Sequence, residues 1–225
     1  MQSLDLPPPA SSKATSGPAV RAYGPRRPDA PVSPLFLERW SPRAFDGSPV
    51  TRSDLQTLFE AARWAPSSNN TQPWRFLYAV EPEDRERFLA GLSRANQLWA
   101  RGAGAIAYLL VRRDRSAGPD PSPVSRFDAG AAWMSLALQA ELLGLSAHAV
   151  GGLDRERVYG LLGVSPEEYE VLIAIVVGRR GRPQDLPALL AERERPSPRR
   201  PLREIVQEGP MAPPLQPPPA PQSYS

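Results

Sequence analysis

Ala65-Pro66-Ser67-Ser68-Asn69-Asn70-Thr71-Gln72-Pro73-Trp74-Arg75-Phe76 decides how the rest of this 225-residue chain is read. Apart from Ala65, every residue from 65 to 73 is Pro, Ser, Asn, Thr or Gln, a composition that continues neither a helix nor a strand. An apolar-periodic helix precedes the stretch and a strand follows it. The loop between them offers hydroxyls, carboxamides and backbone N–H groups at close spacing. Such groups suit a flat ligand with a polar edge, because a carboxamide both donates and accepts. A solvated turn held by Pro66 and Pro73 fits the loop alone equally well.

Upstream lies Arg39-Trp40-Ser41-Pro42-Arg43-Ala44-Phe45. Arg39, Ser41 and Arg43 fall at alternate positions, which in an extended backbone share one face. Two guanidinium groups flanking a hydroxyl make an anion clamp. Taken alone, this segment fits a solvated basic edge better.

Together the two stretches resemble the nitroreductase family of flavin enzymes. There an Arg-x-Ser-x-Arg/Lys segment opens the domain and an Ala-rich helix follows. That helix leads into Ala-Pro-Ser-Ser-x-Asn-x-Gln-Pro-Trp-x-Phe. Here Glu60-Ala61-Ala62-Arg63-Trp64 runs straight into the loop. The resemblance covers residues 35–207 and implies an α+β, nitroreductase-like three-layer fold. Its central sheet is mostly antiparallel, is flanked by helices and belongs to a homodimer. The resemblance also implies FMN as cofactor and NADH or NADPH as reductant. By the same resemblance Arg39 and Arg199 meet the phosphate, and Ser41 meets the phosphate or ribityl oxygens. Arg43 sits at the N1/O2 side of the ring, where a cation stabilises the charge left by hydride addition at N5. Asn70 bonds the pyrimidine edge, and Pro66, Ser67, Ser68 and Gln72 line the same pocket. Gly151 and Gly152 pass beside N5, where glycine lets the backbone come close. Two positions depart from the pattern. Ser197 stands where many relatives carry a basic residue, a role open to Arg195 or Arg200. Gly151 stands where some carry an acidic one.

The implied activity is hydride transfer from NAD(P)H through flavin N5 to a small acceptor such as a nitroaromatic or a quinone. Two other readings stay open. One is a flavin oxidase or dehydrogenase acting on a biosynthetic intermediate. The other is a flavin- or partner-binding protein without turnover, whose Pro-rich tails dock other proteins.

Composition narrows the classes. Of 29 prolines, eight fall in residues 1–34 and seven in residues 209–225. Those flanks lack apolar periodicity, so residues 1–34 and 208–225 read as disordered tails around a domain at 35–207. The absence of cysteine excludes disulfides, thiolate metal sites and a cysteine nucleophile. With no apolar leader or membrane-length run, a cytoplasmic protein is expected. The net charge of +3 comes from arginine, Lys13 being the sole lysine. The basic clusters are short and lack interleaved aromatics, which argues against nucleic-acid binding. No metal-ligand cluster is evident, and His148, the only histidine, reads as structural.

Along the chain, Thr51 and Asp54 read as a capping box. Leu55, Leu58, Phe59 and Ala62 then form one helix face. Strands are expected at 75–80, 103–111 and 170–178, and one helix over 83–96. Residues 116–125 read as a loop. A long helix over 128–143, apolar on more than one face, points to a subunit interface at Ala132 or Leu136. Residues 154–162 read as a helix, 165–168 as the start of another, and 185–195 as a short one.

Overall fold

Residues 26–113 and 123–211 are described by the structure, a computed structural model. In chain order the elements are α1 (Pro34–Glu38), α2 (Arg52–Arg63), β1 (Trp74–Ala79), α3 (Pro82–Leu89) and α4 (Arg94–Ala100). There follow β2 (Ala105–Arg112), α5 (Pro123–Leu142), β3 (Ser146–Val150), α6 (Arg155–Leu162), β4 (Tyr169–Gly178) and α7 (Ala188–Ala191).

The strands form one sheet in the order β1-β2-β4-β3, with every pairing antiparallel. Alternation along β2 builds the three layers. Ala105, Ala107, Leu109 and Val111 pack on one face with Leu55 and Leu58 of α2 and Ala132 and Leu136 of α5. Ile106, Tyr108 and Leu110 pack on the other with Leu89, Trp99 and Val158. A strand covered on both faces must be apolar throughout, as β2 is. The β2–β4 register slips between Leu109 and Leu110. The slip moves Val171 to the α6 side, while Ile175 and Val177 face α5.

The capping box forms as expected. Thr51 Oγ1 accepts from the Asp54 N–H at 3.0 Å, and Asp54 Oδ2 from the Thr51 N–H at 3.3 Å. The expected single helix over 83–96 is instead α3 and α4. The chain turns at Gly91, where a Cβ would collide with the Tyr108 hydroxyl, and Leu92 then bridges Leu153. Residues 165–168 make only a turn, because β4 begins at Tyr169. The short helix expected over 185–195 is a 3-10 turn at Pro183–Asp185 followed by α7. The loop expected at 116–125 lies mostly outside the described residues, and α5 already starts at Pro123.

The assigned N-terminal tail reaches too far inward. Arg26 is buried, and Asp29 Oδ2 accepts the Leu202 N–H at 2.6 Å, so these two residues tie the otherwise exposed stretch 26–34 to the domain. Composition missed this because the docking uses hydrogen bonds rather than apolar periodicity.

On α5, Ala129, Ala132, Leu136, Ala137 and Ala140 are buried within the chain. Ala132 and Leu136 therefore cannot be partner-facing. The opposite stripe is apolar too: Phe127 and Leu142 are 78% and 65% exposed, with Ala131, Met134 and Leu138 half-buried between them.

Candidate active site

The segment from Arg39 to Phe45 is laid along the end of the sheet. Arg39 has extended backbone (φ −64°, ψ 122°), and Phe45 pairs with Arg180 as an isolated bridge. The Gly181 N–H donates to Ala44 O at 2.9 Å, an approach so close that a Cβ on Gly181 would meet Phe45 backbone at 2.7 Å. Two side chains then grip three consecutive residues. His148 Nδ1 donates to Pro42 O at 2.8 Å. Glu194 Oε1 accepts the N–H groups of Arg43 at 2.7 Å and Ala44 at 2.8 Å. A carbonyl only accepts, so Nδ1 carries the proton. Burial lowers the His148 pKa, and the charges of Arg43 and Arg39 push the same way against the Pro42 bond. Its ring centroid lies 4.6 Å from that of Trp99. The structural role expected for His148 is the one its contacts support. Glu194 gave no motif-level signal.

Arg39, Arg26, Arg180 and Arg199 converge at the same end. Burial lowers the Arg39 pKa first, and the positive charge of Arg199 lowers it further, partly offset by Glu141. Arg180 bonds Glu141 Oε1 at 2.7 Å and Ser146 Oγ at 2.8 Å. Arg199 Nη1 donates to Ser197 Oγ at 2.9 Å and Pro198 O at 3.0 Å, so Ser197 holds this arginine rather than adding a cation. Among the described residues, these four guanidinium groups around the Glu141 carboxylate leave a positive surplus, which a polyanion would relieve.

The polar loop is strained. Asn69, Asn70 and Gln72 have φ of 49°, 55° and 47°, the left-handed region. Asp128, 4% exposed in the second turn of α5, accepts the Ser68 N–H at 3.1 Å. Ser67 Oγ accepts the Gln72 N–H at 3.0 Å, and Gln72 Nε2 donates to Asn70 Oδ1 at 3.0 Å. The side chains of Pro66, Ser68, Asn70 and Gln72 are exposed, Ser67 is half-buried, and Pro73 and Trp74 anchor the loop inside. The one signal in the sequence for Asp128 is a carboxylate just before the apolar run 129–134.

Gly151 and Gly152 follow β3 and are exposed. A Cβ on Gly151 would meet nothing within 4 Å, whereas one on Gly152 would strike Asn96 Nδ2 at 2.5 Å. A side chain at Gly152 would thus displace the Asn96 carboxamide, whereas Gly151 faces open space.

These groups do not all meet within one chain. Ser68 is tied to Asp128 near the start of α5, and the arginines gather around Glu141 near its end. Thirteen residues separate Asp128 and Glu141 (141 − 128), about 20 Å of helix. The arginine cluster and the polar loop lie near opposite ends of α5.

The model of the Nitroreductase family matches residues 37–98 and 90–179. The chain belongs to the nitroreductase family. A crystal structure of an oxidoreductase containing FMN shares 43% identity, covering 83% of this chain and 96% of its own, with a TM-score of 0.78. The CLA biosynthesis enone reductase of Lactiplantibacillus plantarum is 26% identical over 187 residues, 66% of this chain and 85% of its own. A Streptomyces coelicolor protein provisionally named NADH dehydrogenase/NAD(P)H nitroreductase SCO7141 is 37% identical over 87 residues. That match spans only 39% of this chain and 43% of the relative. Among the described residues, no group of three or more His, Asp or Glu could hold a metal. No described helix is long and apolar enough to cross a membrane.

Proposed function

We propose that this family member is a homodimeric FMN-dependent oxidoreductase that takes hydride from NAD(P)H and passes it to a small acceptor such as a nitroaromatic or a quinone. The observation that carries the reading is the arginine cradle. Arg39 and Arg199 are forced together against their mutual repulsion, with Arg26 and Arg180 adding charge, and a dianionic phosphate suits that surplus.

FMN, when bound, supplies hydride acceptance and donation at N5. The chain's residues do the rest. Arg39 and Arg199 hold the phosphate, and Ser41 the phosphate or ribityl oxygens. Arg43, its backbone pinned by Glu194, sets a cation at the N1/O2 side. Asn70 recognises the pyrimidine edge, with Pro66, Ser67, Ser68 and Gln72 around it. Gly151 keeps the N5 side free of a side chain. The half-sites are separated along α5, so one chain's cradle is completed by the loop of a second copy. The apolar stripe Phe127-Ala131-Met134-Leu138-Leu142 supplies the surface for that copy.

Anaerobic titration tests the reading. Purified protein should be yellow, release FMN rather than FAD on acid treatment, and bleach on addition of NADH or NADPH. Colour should return with a nitroaromatic or quinone. Protein that stays colourless after FMN titration would sink the proposal. Flavin that binds but is not bleached by either nucleotide would point to a binding protein without turnover.

A further inference from the structure

Arg26 lies upstream of the matched family region, in a stretch whose composition suggests a tail, yet it is 8% exposed. Its guanidinium is turned onto main-chain carbonyls from two distant parts of the chain. Nη1 donates to Leu37 O at 2.8 Å and to Arg39 O at 2.6 Å. Nε donates to Ser197 O at 3.1 Å, across 171 residues. The first pair of carbonyls belongs to the turn that presents Arg39. Ser197 belongs to the turn that presents Arg199, and its hydroxyl holds the Arg199 guanidinium. Burying a cation beside three others is unfavourable, and burial together with Arg199, Arg39 and Arg180 lowers the Arg26 pKa. Carbonyl dipoles on both sides offset that cost only if both turns stay in place.

We propose that Arg26 is a positioning residue for phosphate recognition, stapling the 37–39 turn to the 197–199 turn so that Arg39 and Arg199 face one phosphate. The proposal rests on the flavin reading above. It requires the planar fork of arginine, because the two turns are held by different nitrogens. Lysine keeps the charge but has a single nitrogen at the end of its stem.

The test compares FMN with riboflavin, which shares the ring and ribityl chain but lacks the phosphate. Both are titrated by fluorescence quenching into the full-length wild type, Arg26→Lys, Arg199→Ala and the double variant. For Arg26→Lys, the FMN Kd should rise about tenfold, the scale of one charged hydrogen bond. Its riboflavin Kd should match that of the wild type. The double variant should lose less FMN affinity than the two single losses added together, because the staple and Arg199 serve the same phosphate contact. An Arg26→Lys protein that binds FMN as tightly as the wild type overturns the staple. So does one that loses FMN and riboflavin in equal proportion, the mark of general loosening or misfolding. A wild type that binds neither flavin overturns the flavin reading, and the staple with it.

Discussion

Asp128→Ala removes the carboxylate that accepts the Ser68 N–H, and its effect can be worked from the loop. Three non-glycine residues in the left-handed region, Asn69, Asn70 and Gln72, cost about 1 kcal/mol each, or about 3 kcal/mol together. Against this stand the charged bond from Asp128, about 1.5–3 kcal/mol, and the Ser67–Gln72 bond, about 1 kcal/mol. The exposed Gln72–Asn70 bond adds about 0.5 kcal/mol. The two sides nearly balance, so loss of Asp128 leaves the loop short by roughly 1–2 kcal/mol and shifts it to other conformations. FMN affinity should fall about tenfold, since each 1.4 kcal/mol is a factor of ten. The melting temperature should change little, because deleting a buried charge also removes its desolvation cost. Fluorescence titration with FMN reads the affinity, and hydrogen exchange over 66–73 reads the loop. Adding Asn69→Gly removes one strained residue outside the proposed pocket and should recover part of the loss. Asp128→Ala binding FMN within about twofold of the wild type, a difference under about 0.5 kcal/mol, would refute the reasoning.

Arg39→Ala or Arg199→Ala should each weaken FMN binding by about 1.5–3 kcal/mol, measured by isothermal titration; unchanged affinity in both would place the phosphate elsewhere. Phe127→Asp should split the dimer: burying this largely exposed ring contributes about 2 kcal/mol per copy, so about 4 kcal/mol is lost across the two-fold. Sedimentation and flavin content on the same samples check it, and a wild-type monomer with stoichiometric FMN would contradict the shared site. His148 makes stability pH-dependent with a definite sign. Its folded pKa lies below the ordinary imidazole value of about 6.5, so the unfolded chain binds the extra proton first as pH falls. Stability should therefore decline from about pH 6.5 down to the depressed folded value, and the slope should vanish in His148→Gln. Parallel melting curves of the two proteins across that window would contradict this.

Elements whose signal is local were legible in the sequence. The capping box at Thr51 and the apolar runs of β2 and β4 depend on nearest neighbours and on burial of both faces. β3 was not, because Ser146-Ala147-His148-Ala149-Val150 has small residues of low strand propensity and pairs with β4 on one side only. At Gly91, where the helix breaks, Tyr108 and Val158 leave no room for a Cβ, a constraint that no helical pattern around residue 91 contains. Among the site residues, the motif segments stood out by composition. Arg26, Glu194 and Asp128 act on backbone groups far along the chain, and such bonds leave no periodicity to read.

The Arg26–Ser197 contact also bears on the order in which the chain folds. It closes a loop of 171 residues, and closure entropy grows with loop length. The sheet meets lower hurdles: β3 and β4, and β1 and β2, join across far shorter spans. The core should therefore condense first and the seam last. In a refolding time course sampled by pulsed hydrogen exchange, amides of β2 and β4 would gain protection early. Those of Arg43 and Ala44 would gain it in the final phase, so a chain could own a finished core before it can hold a phosphate.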